Sequence, residues 1–117
     1  MKRGLADRTK AFALRIIRMY TALPQSRVAG VLGHQALRSG TSVGANYREG
    51  YRSRSTAEAI SKFEVALQEL DETSYWLELL IESGTISARR LQSLLQETEE
   101  LTAILVTSVR TMKRRKR

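Results

Sequence analysis

The chain has 117 residues, 42% of them apolar, with one proline, seven glycines, one histidine and no cysteine. That length and apolar content predict one domain able to bury a core unaided, and the lack of cysteine excludes disulfides and thiolate metal sites and fits a reducing, cytoplasmic setting. No apolar run approaches the roughly 18 residues of a membrane span, and Asp7, Arg8 and Lys10 stand where a signal peptide needs an apolar stretch, so the chain is expected neither to span a membrane nor to be secreted.

The net charge of +8 is uneven along the chain. Residues 1 to 54 carry 11 basic and 2 acidic groups, residues 55 to 82 carry 1 basic and 7 acidic, and residues 113 to 117 are all basic. Asymmetry of this kind bears on partners and association, not on fold.

The scarcity of proline and the long stretches of Ala, Leu, Glu, Arg and Gln predict helix almost throughout. A first helix is predicted from about Asp7 to Leu23, with Phe12, Ile16, Met19, Tyr20 and Leu23 on one face and Pro24 ending it. Ser26 is a candidate N-cap for a second helix over residues 27–51, whose core face is expected to begin with Val28, Val31 and Leu32. Gly30, Gly33, Gly40 and Gly44 each cost that helix up to about 1 kcal/mol relative to alanine, which close packing must offset.

Two further faces of this second helix stand out. Gln35, Arg38, Ser39, Ser42, Asn46 and Glu49 form one polar stripe at helical spacing, which reads as a buried network, a binding site or ordinary surface. Gly33, Leu37, Gly40, Gly44 and Tyr51 line the other side, where small residues permit a second backbone to approach closely.

A third helix over residues 56–82 opens on Ser55 and Glu58, spaced as a capping box, and carries Ile60, Phe63, Leu67, Leu70, Ser74, Leu77 and Ile81 at steps of three and four. Val65, Trp76 and Leu80 lie about 150° from that stripe. They are expected to form a subunit interface together with Gly33, Leu37, Gly40 and Gly44; the alternative is a tryptophan lying across a neighbouring helix of the same bundle. Ser83 and Gly84 stop the helix.

The fourth helix, residues 88–112, is expected after Ser87, with Ile86 and Leu91 spaced as a hydrophobic staple and Leu91, Leu94, Thr98, Leu101, Leu105, Ser108 and Met112 as its core stripe. A basic tail, 113–117, follows. Short connections then predict an all-α, up-down-up-down antiparallel four-helix bundle in a single domain, 1–117.

Catalysis finds no support in this sequence. His34 is the one histidine, which excludes the paired Glu-x-x-His arrangement of di-iron bundles and leaves no oriented nucleophile and base. No phosphate loop is present, and neither catalytic residues, metal nor cofactor are expected.

The up-down topology collects basic residues at one end: Lys2, Arg3, Arg8 and Lys10 from the chain start, Arg48, Arg52 and Arg54 from the second connection, and Arg110, Lys113, Arg114, Arg115, Lys116 and Arg117 from the chain end. These predict a surface that binds RNA or DNA through phosphates, with weak sequence preference. Tyr47 and Tyr51 stand beside the arginines as candidates for stacking on unpaired bases, or for packing beneath the connection.

The segment LPQSRVAGVLGHQALRSGTSVGANYREG, Leu23 to Gly50, resembles the four-helix-bundle family first described as the 23S rRNA-intervening-sequence protein. The family's run of Gln, Arg-Ser, Ser, Asn and Glu-Gly maps onto Gln35, Arg38, Ser39, Ser42, Asn46, Glu49 and Gly50. The turn at Leu23 and Pro24 and the pair Glu72 and Thr73 also fit, so the resemblance covers most of residues 12 to 109. The basic tail is not part of that pattern.

The resemblance implies up-down bundles assembled into homopentameric rings. It also implies kinship with the accessory variability determinant that works with the reverse transcriptase of diversity-generating retroelements. The expectation is therefore a non-enzymatic, nucleic-acid-binding accessory protein acting as a homo-oligomer, with a reverse-transcriptase ribonucleoprotein as candidate client. The alternatives are a structural scaffold without nucleic acid and, through the amphipathic first helix, a binder of anionic membrane surface.

Overall fold

In the computed structural model, residues 2–116 are described, with the side chains of Lys2, Arg3 and Lys116, like Met1 and Arg117, outside the described set. Among the described residues there are four helices and no strand: α1 (Lys2–Thr21), α2 (Arg27–Tyr51), α3 (Thr56–Glu82) and α4 (Ala88–Lys116). They form an elongated bundle of 49 × 19 × 19 Å. α2 packs against α1 and α3, and α3 against α4, while α1 and α4 close the bundle through its loosest contact.

The ends follow local chemistry. Ser26 and Ser55 each adopt extended backbone and accept the third N–H of their helix, from Ala29 and Glu58, both at 3.1 Å. α3 stops at Gly84, whose φ of +78° is open to glycine at little cost, and the Thr85 and Ile86 amides return to the Leu80 carbonyl. Ile86 and Leu91, the expected staple, are both buried.

The outer ends differ from expectation. α1 begins at Lys2, five residues earlier than its apolar pattern indicates, and α4 continues through the basic segment to Lys116. Lys and Arg are good helix formers, and cations in a last turn interact favourably with the helix dipole, so nothing breaks α4 at Met112.

Phe12, Ile16, Leu70, Leu77, Leu80, Leu101 and Leu105 make up the centre of the core, each at most 1% exposed. The face that α2 turns inward consists of Ala29, Gly33, Ala36, Ser39, Gly40, Val43, Tyr47 and Gly50. Val28 and Val31, expected in the core, are 53% and 58% exposed. Small residues win the inward positions because α2 is wedged between two helices. A Cβ at Gly40 would lie 2.8 Å from Ile16, and one at Gly33 would lie 2.5 Å from Leu23.

Candidate nucleic-acid interface

Connections of a few residues join the helices end to end, so the start of α1, the α2–α3 connection and the end of α4 meet at one end of the bundle. Arg48 stands in the last turn of α2, Arg52 is its C-cap and Arg54 follows in the connection. Arg110, Arg114 and Arg115 project from the end of α4. All six are exposed and form no ion pair among the described residues, as is also true of Lys10.

Two of the expected phosphate contacts are otherwise engaged. Arg8 donates from Nε and Nη2 to the two carboxylate oxygens of Glu97, 2.8 Å each, and also bonds Glu100. Those hydrogen bonds hold its guanidinium still more firmly protonated than usual, so Arg8 serves to tie α1 to α4. Lys113 Nζ lies 2.8 Å from Glu64 and joins α4 to α3. The side chains of Lys2, Arg3 and Lys116, and the whole of Arg117, lie outside the described residues.

The two tyrosines separate in role. Tyr47 is 1% exposed and stacks on Phe63 with ring centroids 5.1 Å apart and planes 15° apart. Burial, with a smaller contribution from Tyr51, pushes its phenol up to about 12. Tyr47 is therefore core. Tyr51 is 51% exposed and stacks on Tyr47 from outside, at 6.2 Å, which leaves it beside the arginines.

A cleft of about 490 Å³ opens at this same end between α1 and α4. Gly4, Leu5 and Arg8 form one wall, and Ile104, Thr107, Ser108, Thr111, Met112 and Arg115 the other, over a floor of Tyr47 and Phe63. Ser108 and Met112 occupy core register on α4, yet they are only half-buried. Their signal in the sequence was indistinguishable from that of core positions, because uncovering depends on how far apart α1 and α4 stand.

The polar stripe of α2 runs along its boundary with α3. Arg38 donates to Glu72 at 2.7 Å, lies 3.5 Å from Glu69 and reaches Gln35 on its own helix at 3.4 Å. Ser39 is fully buried, 2.7 Å from the hydroxyl of Thr73. Ser42 and Asn46 donate to carbonyls one turn back, and Glu49 pairs with Lys62 at 2.8 Å. The stripe's polar groups are thus spent on their own helix and on α3, with Arg38 and Glu49 in separate clusters.

The residues assigned to a subunit interface are largely covered within the chain. Gly33 and Gly40 are buried against α1, and a Cβ at Gly44 would lie 3.2 Å from Thr9. Leu80 is fully buried, because α3 packs on both α2 and α4 and its inward sector is wider than a single stripe of three and four. Gly33, Gly40 and Leu80 are corrected to intramolecular packing, while Gly44 is half-buried. Leu37, Val65 and Trp76 are half-buried. Trp76 packs against the core and meets Tyr75 edge-on at 5.2 Å, while its indole N–H is buried with no hydrogen-bond partner among the described residues.

No helix of the structure is long and apolar enough to cross a membrane, and no group of three or more metal-ligating side chains occurs among the described residues. A search of the curated proteins finds no match. Among solved structures, the chain is similar to a protein of unknown function from the S23 ribosomal protein family of Bacteroides thetaiotaomicron VPI-5482. The two are 38% identical, with a TM-score of 0.88 over 94% of this chain and 99% of that one. The model of the 23S rRNA-intervening sequence protein family matches residues 4–107, which agrees with the motif along α2 and with the four-helix fold. The chain belongs to the 23S rRNA-intervening sequence protein family.

Proposed function

We propose that this protein is a non-enzymatic accessory protein that binds RNA or DNA through the basic end of its bundle and works as a homo-oligomer. One observation carries the reading: Arg48, Arg52, Arg54, Arg110, Arg114 and Arg115 are exposed together at one end, with no carboxylate paired to them among the described residues. Cations left unpaired and close together attract a polyanion and release its counterions on contact, a source of affinity that does not depend on sequence. The decisive experiment is fluorescence anisotropy with labelled RNA and DNA across a salt series. Tight binding that weakens steeply with salt supports the reading, and binding that is absent or indifferent to salt removes it.

Self-association into a ring of five is the assembly that the family resemblance implies. A ring needs two different complementary faces on each copy. Leu14, Ile17, Val28 and Val31 are exposed apolar residues on α1 and α2, which also expose Arg18 and Arg27, whereas α3 exposes Tyr75 with Asp71, Glu72, Glu78 and Glu82. Opposed charge around apolar patches suits a head-to-tail contact. Mass in solution by light scattering tests it, and a monomer at tens of micromolar rules it out. The same resemblance extends the proposal to a reverse-transcriptase ribonucleoprotein as client, to be tested by identifying what co-purifies from the native host.

A further inference from the structure

We propose that the cleft between the start of α1 and the end of α4 receives an unpaired nucleobase, so that the basic end prefers single-stranded nucleic acid to duplex. This rests on the reading of that end as a phosphate-binding surface and adds to it a pocket for one chemical group.

The cleft exists because the contact between α1 and α4 is polar and discontinuous. Arg15 reaches Ser93 at 2.9 Å and Arg8 reaches Glu97 and Glu100, and past Arg8 the α1 wall of the cleft consists, among the described residues, of Leu5 and Gly4. Gly4 lines the cleft, and a Cβ there would meet nothing within 4 Å among the described residues, so a larger side chain can be placed at this wall without displacing them. The floor is firm, since Tyr47 and Phe63 are 1% and 3% exposed and stacked on each other. The volume of about 490 Å³ lies within the range of pockets for small aromatic ligands.

The hydroxyls of α4 distinguish a nucleobase from a purely apolar guest. Thr98 and Thr102 donate to carbonyls four residues back, at 2.9 and 2.8 Å. Thr107, Ser108 and Thr111, one and two turns further on, line the cleft and make no hydrogen bond among the described residues. Three free hydroxyls above a floor of aromatic rings match a flat ring with donors and acceptors along its edge, and each can serve as either partner. Arg115 at the rim is exposed and has no carboxylate partner among the described residues, so it can hold the phosphate attached to that base. In a duplex the same base edges are paired and stacked, leaving only phosphates to meet the arginines.

The test compares three DNA probes of equal length: a single strand, a strand made of abasic residues with the same phosphates, and a duplex. The wild-type protein is expected to bind the intact single strand about tenfold more tightly than the abasic one, the effect of burying about one base. Gly4→Leu, which adds bulk to the cleft where a Cβ meets open space, is expected to abolish that difference while leaving abasic and duplex affinities and the salt dependence unchanged. Ser108→Leu, checked for helicity and melting temperature, provides a second plug from the opposite wall. Equal binding of intact and abasic strands by the wild type, or an undiminished preference in both plugged variants, overturns the cleft while leaving the phosphate-binding end intact. Failure of all three probes, and of an RNA strand of the same length, to bind overturns both.

Discussion

Arg8 and Glu97 are joined by two parallel hydrogen bonds, each 2.8 Å long, across the loosest contact in the bundle. Glu97 is 17% exposed and Arg8 36%, so the pair is partly shielded from solvent. The Arg8 hydrogen bonds hold the Glu97 carboxyl below its ordinary value of 4.5, against the opposing effect of burial. A carboxyl whose folded value is depressed contributes stability that is present above its unfolded value and lost as pH falls through its folded value. Glu97→Gln should therefore cost about 1 kcal/mol at neutral pH, discounted for the exposure of Arg8, and the difference from wild type should vanish well below pH 4.5. Melting curves by circular dichroism across that range check it, and a difference that persists undiminished in acid contradicts it.

Glycine substitutions in α2 should divide by sign. At Gly50 a Cβ would lie 2.5 and 2.7 Å from the ring of Phe63, which cannot withdraw because Tyr47 is stacked on it. Gly50→Ala should lose about 1 to 3 kcal/mol through overpacking, outweighing its gain in helix propensity. At Gly30 the added methyl would meet nothing within 4 Å, so Gly30→Ala should gain about 0.5 to 1 kcal/mol. Denaturant midpoints of the two variants should move in opposite directions.

The fully buried hydroxyls of Ser39 and Thr73 should prove coupled. Thr73 has a single proton, which it gives to the Glu69 carbonyl at 2.7 Å, so the 2.7 Å contact is made by Ser39 donating to Thr73. Ser39→Ala should cost about 1 kcal/mol, and the double variant Ser39→Ala with Thr73→Val should cost less than the two single changes together. Additive losses in a double-mutant cycle would show that the contact contributes nothing of its own.

How much of this was legible in the sequence depends on whether a feature is local. Ser26, Ser55 and Gly84 act on neighbours within a few residues, and the helix ends they control lie where their spacing places them. On the inward face of α2, apolar character does not mark burial. Val28 and Val31 are exposed, whereas Gly33 and Gly40 are inside, since the distance to α1 leaves no room for a larger residue. Leu80 lies outside the stripe of three and four and is nonetheless fully buried, since a helix with two neighbours buries more than one stripe. The basic end was legible from topology and charge alone, but that Arg8 and Lys113 are held by carboxylates distant in sequence was not. The cleft depends on the separation of α1 from α4, which no spacing along either helix records.

The proposed nucleic-acid interface makes the most demanding prediction. The four helices place Arg48, Arg52 and Arg54 at the same end as Arg110, Arg114 and Arg115, while Arg89 and Arg90 lie beside the α3–α4 connection at the other. Arg110, Arg114 and Arg115 stand on the regular helix α4, so contact with phosphates incurs less loss of backbone freedom there than it would on an irregular tail. Removing residues 113 to 117 should weaken binding to all sequences alike and flatten the log-log salt dependence by up to roughly 4 units per chain engaged, at about 0.9 per lost phosphate contact. The loss should fall somewhat short of that limit, since Lys113 is already paired with Glu64. Changing Arg48, Arg52 and Arg54 to glutamine should add to the loss, and changing Arg89 and Arg90 should do little. Titrations at several salt concentrations read all of these effects on one scale. If the Arg89 and Arg90 variant loses as much affinity as the truncated chain, the contact is spread over the whole basic surface and the one-end interface is wrong.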